Sequence, residues 1–131
     1  MKCDRIAPLS LVPVALAAVM LCFPASAGEA DVVDVRVQMQ ANGSYRFDAT
    51  VRHADEGWDH YADAFEIVAP DGDVLGTRVL AHPHVNEQPF TRSLGRVKIP
   101  PGIATVEVRA RDKVHGLGGK TYQVTLPGQS K

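Results

Sequence analysis

From Asp31 onward the chain alternates apolar and polar side chains with a period of two, and turn-forming residues interrupt the alternation roughly every eight to twelve positions. An α-helix needs its apolar residues three and four apart, so this pattern restricts the chain to half-buried β-strands packed face to face. Val33, Val35, Val37 and Met39 form one side of a first strand, and Asp34, Arg36 and Gln38 the other. Asn42-Gly43 follows where a two-residue type I′ hairpin turn is expected, since both residues tolerate positive φ. In the second strand, Ser44 to His53, parity directs Tyr45, Phe47, Ala49, Val51 and His53 inward.

Further strands are expected at Ala62 to Ala69, Val74 to Ala81, Phe90 to Ile99, Thr105 to Asp112 and before Pro127, where Tyr122, Val124 and Leu126 face inward. Pro70-Asp71-Gly72 and Pro100-Pro101-Gly102 mark turns, and Gly95 marks a β-bulge in the fifth strand. Roughly seven short strands without a helix predict an all-β, immunoglobulin- or fibronectin type III-like antiparallel sandwich. That architecture carries no single function.

The N-terminus reads differently. Lys2 and Arg5 precede an apolar run that ends in Ala25-Ser26-Ala27, the small-residue pattern at which signal peptidases cut, so 1–27 is expected to be a signal peptide and the mature chain to start near Gly28. Pro8 and Pro13 interrupt the run, and no stop-transfer charges follow, which argues against a retained membrane anchor. Cys22 follows Leu21, where a lipoprotein signal calls for a small residue, so Cys22 is read as part of the leader.

Removing 27 of 131 residues leaves 104, the size of one domain (28–131) with enough buried surface to fold unaided. Cys3 and Cys22 both leave with the leader, so the mature chain has no disulfide, thiolate ligand or cysteine nucleophile. Without Lys2, Arg5 and Asp4, 12 basic and 14 acidic side chains remain, interspersed, for a net charge of −2. Nucleic-acid binding therefore lacks its usual electrostatic footprint. A periplasmic or secreted location follows from export, while oligomeric state is not legible.

All five histidines lie in three connections. If successive strands run up and down, those connections share one pole: Arg52 to Tyr61, Ala81 to Gln88, and Lys113 to Gly119. Imidazole is the commonest transition-metal ligand, so metal binding is the sharpest expectation. His82 and His84 lead the candidate ligands, because Pro83 biases His82 toward extended backbone, which projects alternate residues to one side. His53 joins them by inward parity and Glu87 as an oxygen donor; His60 and His115 border the site. Imidazole with carboxylate suits Cu(II) or Zn(II), with Cu(II) ranked first by the Irving-Williams order and the oxidising setting. Asp55, Glu56, Asp59 and Asp63 share the pole as ligands, orienting partners or solvated charges.

The strings Gly57-Trp58-Asp59-His60-Tyr61-Ala62-Asp63, His82-Pro83-His84-Val85-Asn86-Glu87-Gln88-Pro89-Phe90-Thr91-Arg92 and Val114-His115-Gly116-Leu117-Gly118-Gly119 resemble small exported bacterial β-sandwich proteins of uncharacterised function. The resemblance implies an exported setting and brings no activity. A rival use of the same loops is as a non-enzymatic interaction module for another exported protein, with Trp58, Tyr61 and Phe90 as anchors; Trp58 and Tyr61 read first as a cap on the core. An enzyme is not expected, because no nucleophile context or phosphate-binding motif occurs, and a metal hydrolase at the pole would need an open coordination position.

Overall fold

The computed structural model describes residues 28–128, and the expected signal peptide, 1–27, lies outside them. Eight strands run in the order β1 (Asp31–Met39), β2 (Tyr45–Arg52), β3 (Ala62–Val68), β4 (Val74–Val79), β5 (Phe90–Val97), β6 (Thr105–Asp112), β7 (Gly116–Leu117) and β8 (Tyr122–Thr125). One sheet has the order β1-β2-β5; the other runs β4-β3-β6, with β7 and β8 both paired to β6. Every pairing is antiparallel, giving the expected immunoglobulin- or fibronectin-like sandwich. The additional strand, β7, is a two-residue pairing inside the loop after β6.

The core is what period-two patterning dictates. Tyr45, Phe47, Val51, Phe65, Ile67 and Val108 point between the sheets and are almost fully buried. Burial stabilises each such aliphatic or aromatic side chain by about 1.5–3 kcal/mol, which lets a domain without cross-links fold. Tyr45 keeps its polar end satisfied by donating its hydroxyl hydrogen to the Pro127 carbonyl at 2.8 Å.

Three local details depart from simple alternation. The first hairpin closes on three residues, not two: Gln40 N–H donates to Ser44 O, and only Gly43, at φ 81°, takes the left-handed conformation. That is the type I turn with a following bulge, and Asn42 instead uses its side chain to accept from Ser44. The bulge expected near Gly95 is present between Leu94 and Val97, but the residue at positive φ is Arg96, whose N–H donates to Gln40 Oε1 at 2.8 Å. A further bulge at Val33 changes the phase of β1, so Val32 and Val35 are the buried residues and Val33 is half-buried.

On the N-terminal side of the Val33 bulge Asp31 and Val32 stay paired with Arg52 and Val51, and they also meet the loop after β7: Val32 N–H donates to Lys120 O and Lys120 N–H to Asp31 Oδ1. Residues 28–30 thereby lie at the pole where β2 and β6 end and β3, β5 and β8 begin. That pole is the histidine-bearing one.

Candidate metal centre

His53 extends the inward parity of β2 one step past the strand and is 2% exposed. Its Nδ1 lies 2.6 Å from Asp55 Oδ1, an acceptor-only atom, so Nδ1 is the donor, and in the neutral tautomer of that ring Nε2 keeps a lone pair. Asp55 is itself buried, and it also accepts from Ala62 N–H and His84 N–H at 3.1 and 2.6 Å. A carboxylate fixed by two main-chain donors, which in turn fixes an imidazole, is the usual arrangement behind a metal-bound histidine.

The connection after Asp55 folds into a tight turn in which Glu56 N–H donates to His60 O and His60 N–H to Gly57 O. This returns His60 to the pole with its Nε2 3.2 Å from His53 Nε2. Two bonds of about 2.0–2.1 Å to one ion at tetrahedral or square angles separate their donors by roughly 3 Å, so this spacing would fit one edge of a coordination polyhedron.

Asp112 supplies the acid. It continues the inward parity of Val106, Val108 and Ala110 to the last residue of β6 and is fully buried. Its Oδ1 accepts from Val114 N–H and His115 N–H at 2.9 and 2.7 Å, which turns the chain so that β7 folds back onto β6. The same oxygen lies 3.3 Å from His60 Nε2, and Oδ2 has no hydrogen-bond partner. Desolvation pushes the Asp112 carboxyl up, but the main-chain and imidazole donors of His115 and Val114 outweigh it and hold the group below its ordinary value, ionised. For His60, desolvation pulls down, while the Gly28 carbonyl, Asp112 and Glu56 together raise it above the ordinary imidazole value. The pole favours positive charge.

The fourth component is main chain. Gly28 O lies 2.9 Å from His53 Nε2 and 3.1 Å from His60 Nε2. His53 Nε2, His60 Nε2, Asp112 Oδ1 and Gly28 O thus converge as two imidazole nitrogens and two oxygens, a donor set that suits a transition-metal cation. Among the described residues, His53, His60 and Asp112 form the group of three side chains able to hold one ion.

The other expected ligands lie elsewhere. His115 stands beside the group, with its ring centroid 5.0 Å from that of His60 and Nδ1 3.1 Å from Asp112 Oδ1. His82 and His84 do project together, ring centroids 4.5 Å apart, as an extended segment requires. Yet His84 is stacked on Phe90 at 3.9 Å with both ring nitrogens buried and unpartnered, and burial, then Arg92 and His82, push it below the ordinary value, toward the neutral form. His82 is exposed, its Nδ1 3.1 Å from Pro83 O, and Glu87 pairs with Arg92 at 3.4 Å. No third donor joins this pair in a three-residue group among the described residues.

The aromatic anchors also divide. Phe90 corrects the expectation of a contact residue: at 2% exposure it is core, because β5 parity points it between the sheets. Trp58 corrects the core-cap alternative, being 63% exposed; it meets Tyr61 edge-on at 5.9 Å, with Lys113 Nζ over the Tyr61 ring. Neither Asp112 nor Gly28 belongs to the histidine pattern that marks the pole in the sequence. The signal for Asp112 was present, since the β6 alternation puts a carboxylate at an inward position; for Gly28 the only sign was that β1 must start at the pole where β2 ends.

No family model matches the chain, and no solved structure matches it. Over 96 residues it is 42% identical to a protein of Halomicrobium mukohataei that bears the name "Putative lipoprotein"; the match covers 73% of this chain and 47% of that protein. The chain therefore spans about half the length of the relative it matches. Among the described residues, no helix is long and apolar enough to cross a membrane.

Proposed function

We propose that this is an exported protein, periplasmic or secreted, that binds a transition-metal ion through His53, His60 and Asp112, with His115 at the rim. The observation that carries the reading is the 3.2 Å approach of two imidazole Nε2 atoms beside an ionised, buried carboxylate. The Asp55 bridge, which commits His53 Nδ1 and leaves Nε2 for the ion, supports it. Cu(II) ranks ahead of Zn(II), because imidazole and oxygen donors without thiolate suit both and the Irving-Williams order favours copper. The name of the relative from Halomicrobium mukohataei agrees with an exported setting, as does the resemblance to small exported bacterial proteins. The role is binding; hydrolysis of a chromogenic ester by the metal-loaded protein would move it to the metal hydrolases.

Competition titration of the mature chain with Cu(II) and with Zn(II) tests the proposal. His53→Ala with His60→Ala is expected to abolish tight binding, whereas His82→Ala with His84→Ala leaves most of it. Equal loss in the two pairs, or none in either, refutes the assignment. A second reading, an interaction module, has Trp58 in its favour, a large apolar side chain exposed beside Tyr61 on the same pole. It predicts partner capture that Trp58→Ala abolishes and chelators leave intact.

A further inference from the structure

The N-terminal segment is held against the metal group more carefully than a chain end requires. Ala30 is 1% exposed, and Gly28 is buried. A Cβ on Gly119 would lie only 1.9 Å from Ala30 O, so only glycine lets the loop after β7 pass this close to the segment. A Cβ on Gly28 would lie 2.3 Å from His115 Cε1, so the absence of a side chain there makes room for the imidazole. With the Val33 bulge and the Val32–Lys120 hydrogen bond, these features fix Gly28 O beside His53 and His60.

Gly28 O lies 2.9 Å from His53 Nε2 and 3.1 Å from His60 Nε2, so an ion held between the two imidazoles would have this carbonyl oxygen within reach. Gly28 is also the residue that follows Ala25-Ser26-Ala27, the expected cleavage site.

We propose that Gly28 is itself a ligand of the ion, through its carbonyl oxygen and, after hydrolysis of the Ala27–Gly28 bond, through its α-amino nitrogen, so that export processing completes the metal site. This rests on the metal reading given above. In the cleavage, water adds across the peptide bond; the leader departs with a carboxylate on Ala27, and Gly28 gains an amine. An amide nitrogen has its lone pair delocalised into the carbonyl and is a poor donor, whereas the amine is a good one. When the ion binds, any proton on the amine leaves to solvent. Amine nitrogen and carbonyl oxygen of one residue then close a small chelate ring of metal, nitrogen, Cα, carbonyl carbon and oxygen. The unprocessed chain offers the oxygen alone, so loading is tied to arrival outside the cytoplasm.

The test compares the chain that begins at Gly28, the same chain with Ala25-Ser26-Ala27 retained ahead of it, and His53→Ala in the chain that begins at Gly28. Each is titrated with Cu(II) and with Zn(II) against a competing chelator, and Cu(II) electron paramagnetic resonance counts the nitrogen donors. The retained tripeptide is expected to weaken binding on the order of tenfold or more and to remove one nitrogen coupling. Equal affinity and identical spectra for the first two, with binding lost in His53→Ala, overturn the inference and leave the metal reading standing. If neither of the first two binds more tightly than His53→Ala, the metal reading fails and the inference with it. Intact mass of the chain recovered after export is expected to show Gly28 first; a start at an acylated Cys22 overturns the amine's role.

Discussion

Replacing Asp55 with asparagine removes one charge at nearly constant shape and isolates the residue on which the site's orientation depends. The wild-type carboxylate accepts three hydrogen bonds at zero side-chain exposure: His53 Nδ1–H and Ala62 N–H on Oδ1, and His84 N–H on Oδ2. Asparagine has one acceptor oxygen. With that oxygen facing His53 and Ala62, the new amide group meets the His84 N–H donor to donor. One charge-assisted bond is lost and a buried N–H is left unpaired, at about 2–4 kcal/mol in total. A domain of this size has roughly 5–15 kcal/mol of stability, so Asp55→Asn is expected to remain folded with a lower urea midpoint. The weakened hold on the His53 proton also reduces Nε2 basicity, and Cu(II) affinity is expected to fall about 10- to 100-fold. Urea unfolding of the metal-free protein and competition titration of the folded protein read the two effects separately. Wild-type values in both assays would refute the account of Asp55 as the group that orients His53.

Gly119→Ala forces the loop after β7 away from Ala30 O, and hydrogen exchange is expected to show loss of protection confined to residues 28–33, with β2, β3 and β6 unchanged. Asp48 carries the pH dependence of the outer face of β2. The Ser93 hydroxyl above all, against desolvation and with Arg46, holds its carboxyl below the ordinary value. A depressed folded value means the contribution is complete above the unfolded value, about 3.9, and disappears as pH falls through the lower folded one. Asp48→Asn is therefore expected to cost about 1 kcal/mol near neutral pH and progressively less as pH falls below the unfolded value, measured by urea unfolding across pH. Trp58→Ala, at an exposed position outside the core, is expected to change stability by less than about 0.5 kcal/mol; a larger loss would restore the core-cap role.

The sandwich was legible because strand patterning is local. Alternation at Tyr45, Phe47, Ala49 and Val51 predicts the buried face of β2, and the turn residues predict which connections share a pole. The phase change at Val33 was not legible, since a bulge inserts one residue without altering composition.

For the site, sequence by itself determined the pole and its chemistry: five histidines with carboxylates and no cysteine in residues 28–131, in loops that antiparallel connection brings to one end. Only the tertiary structure decided which of them meet. His82 and His84 are the nearest pair along the chain after proline spacing is considered, but Phe90 draws the His84 ring into the core, where apolar stacking outweighs exposure of its nitrogens. His53 and His60 meet across a turn, Asp112 arrives from the facing sheet, and Gly28 from the segment ahead of β1. A coordination group is a matter of a few ångströms between elements far apart in sequence, and periodicity fixes a side chain's face without fixing that distance.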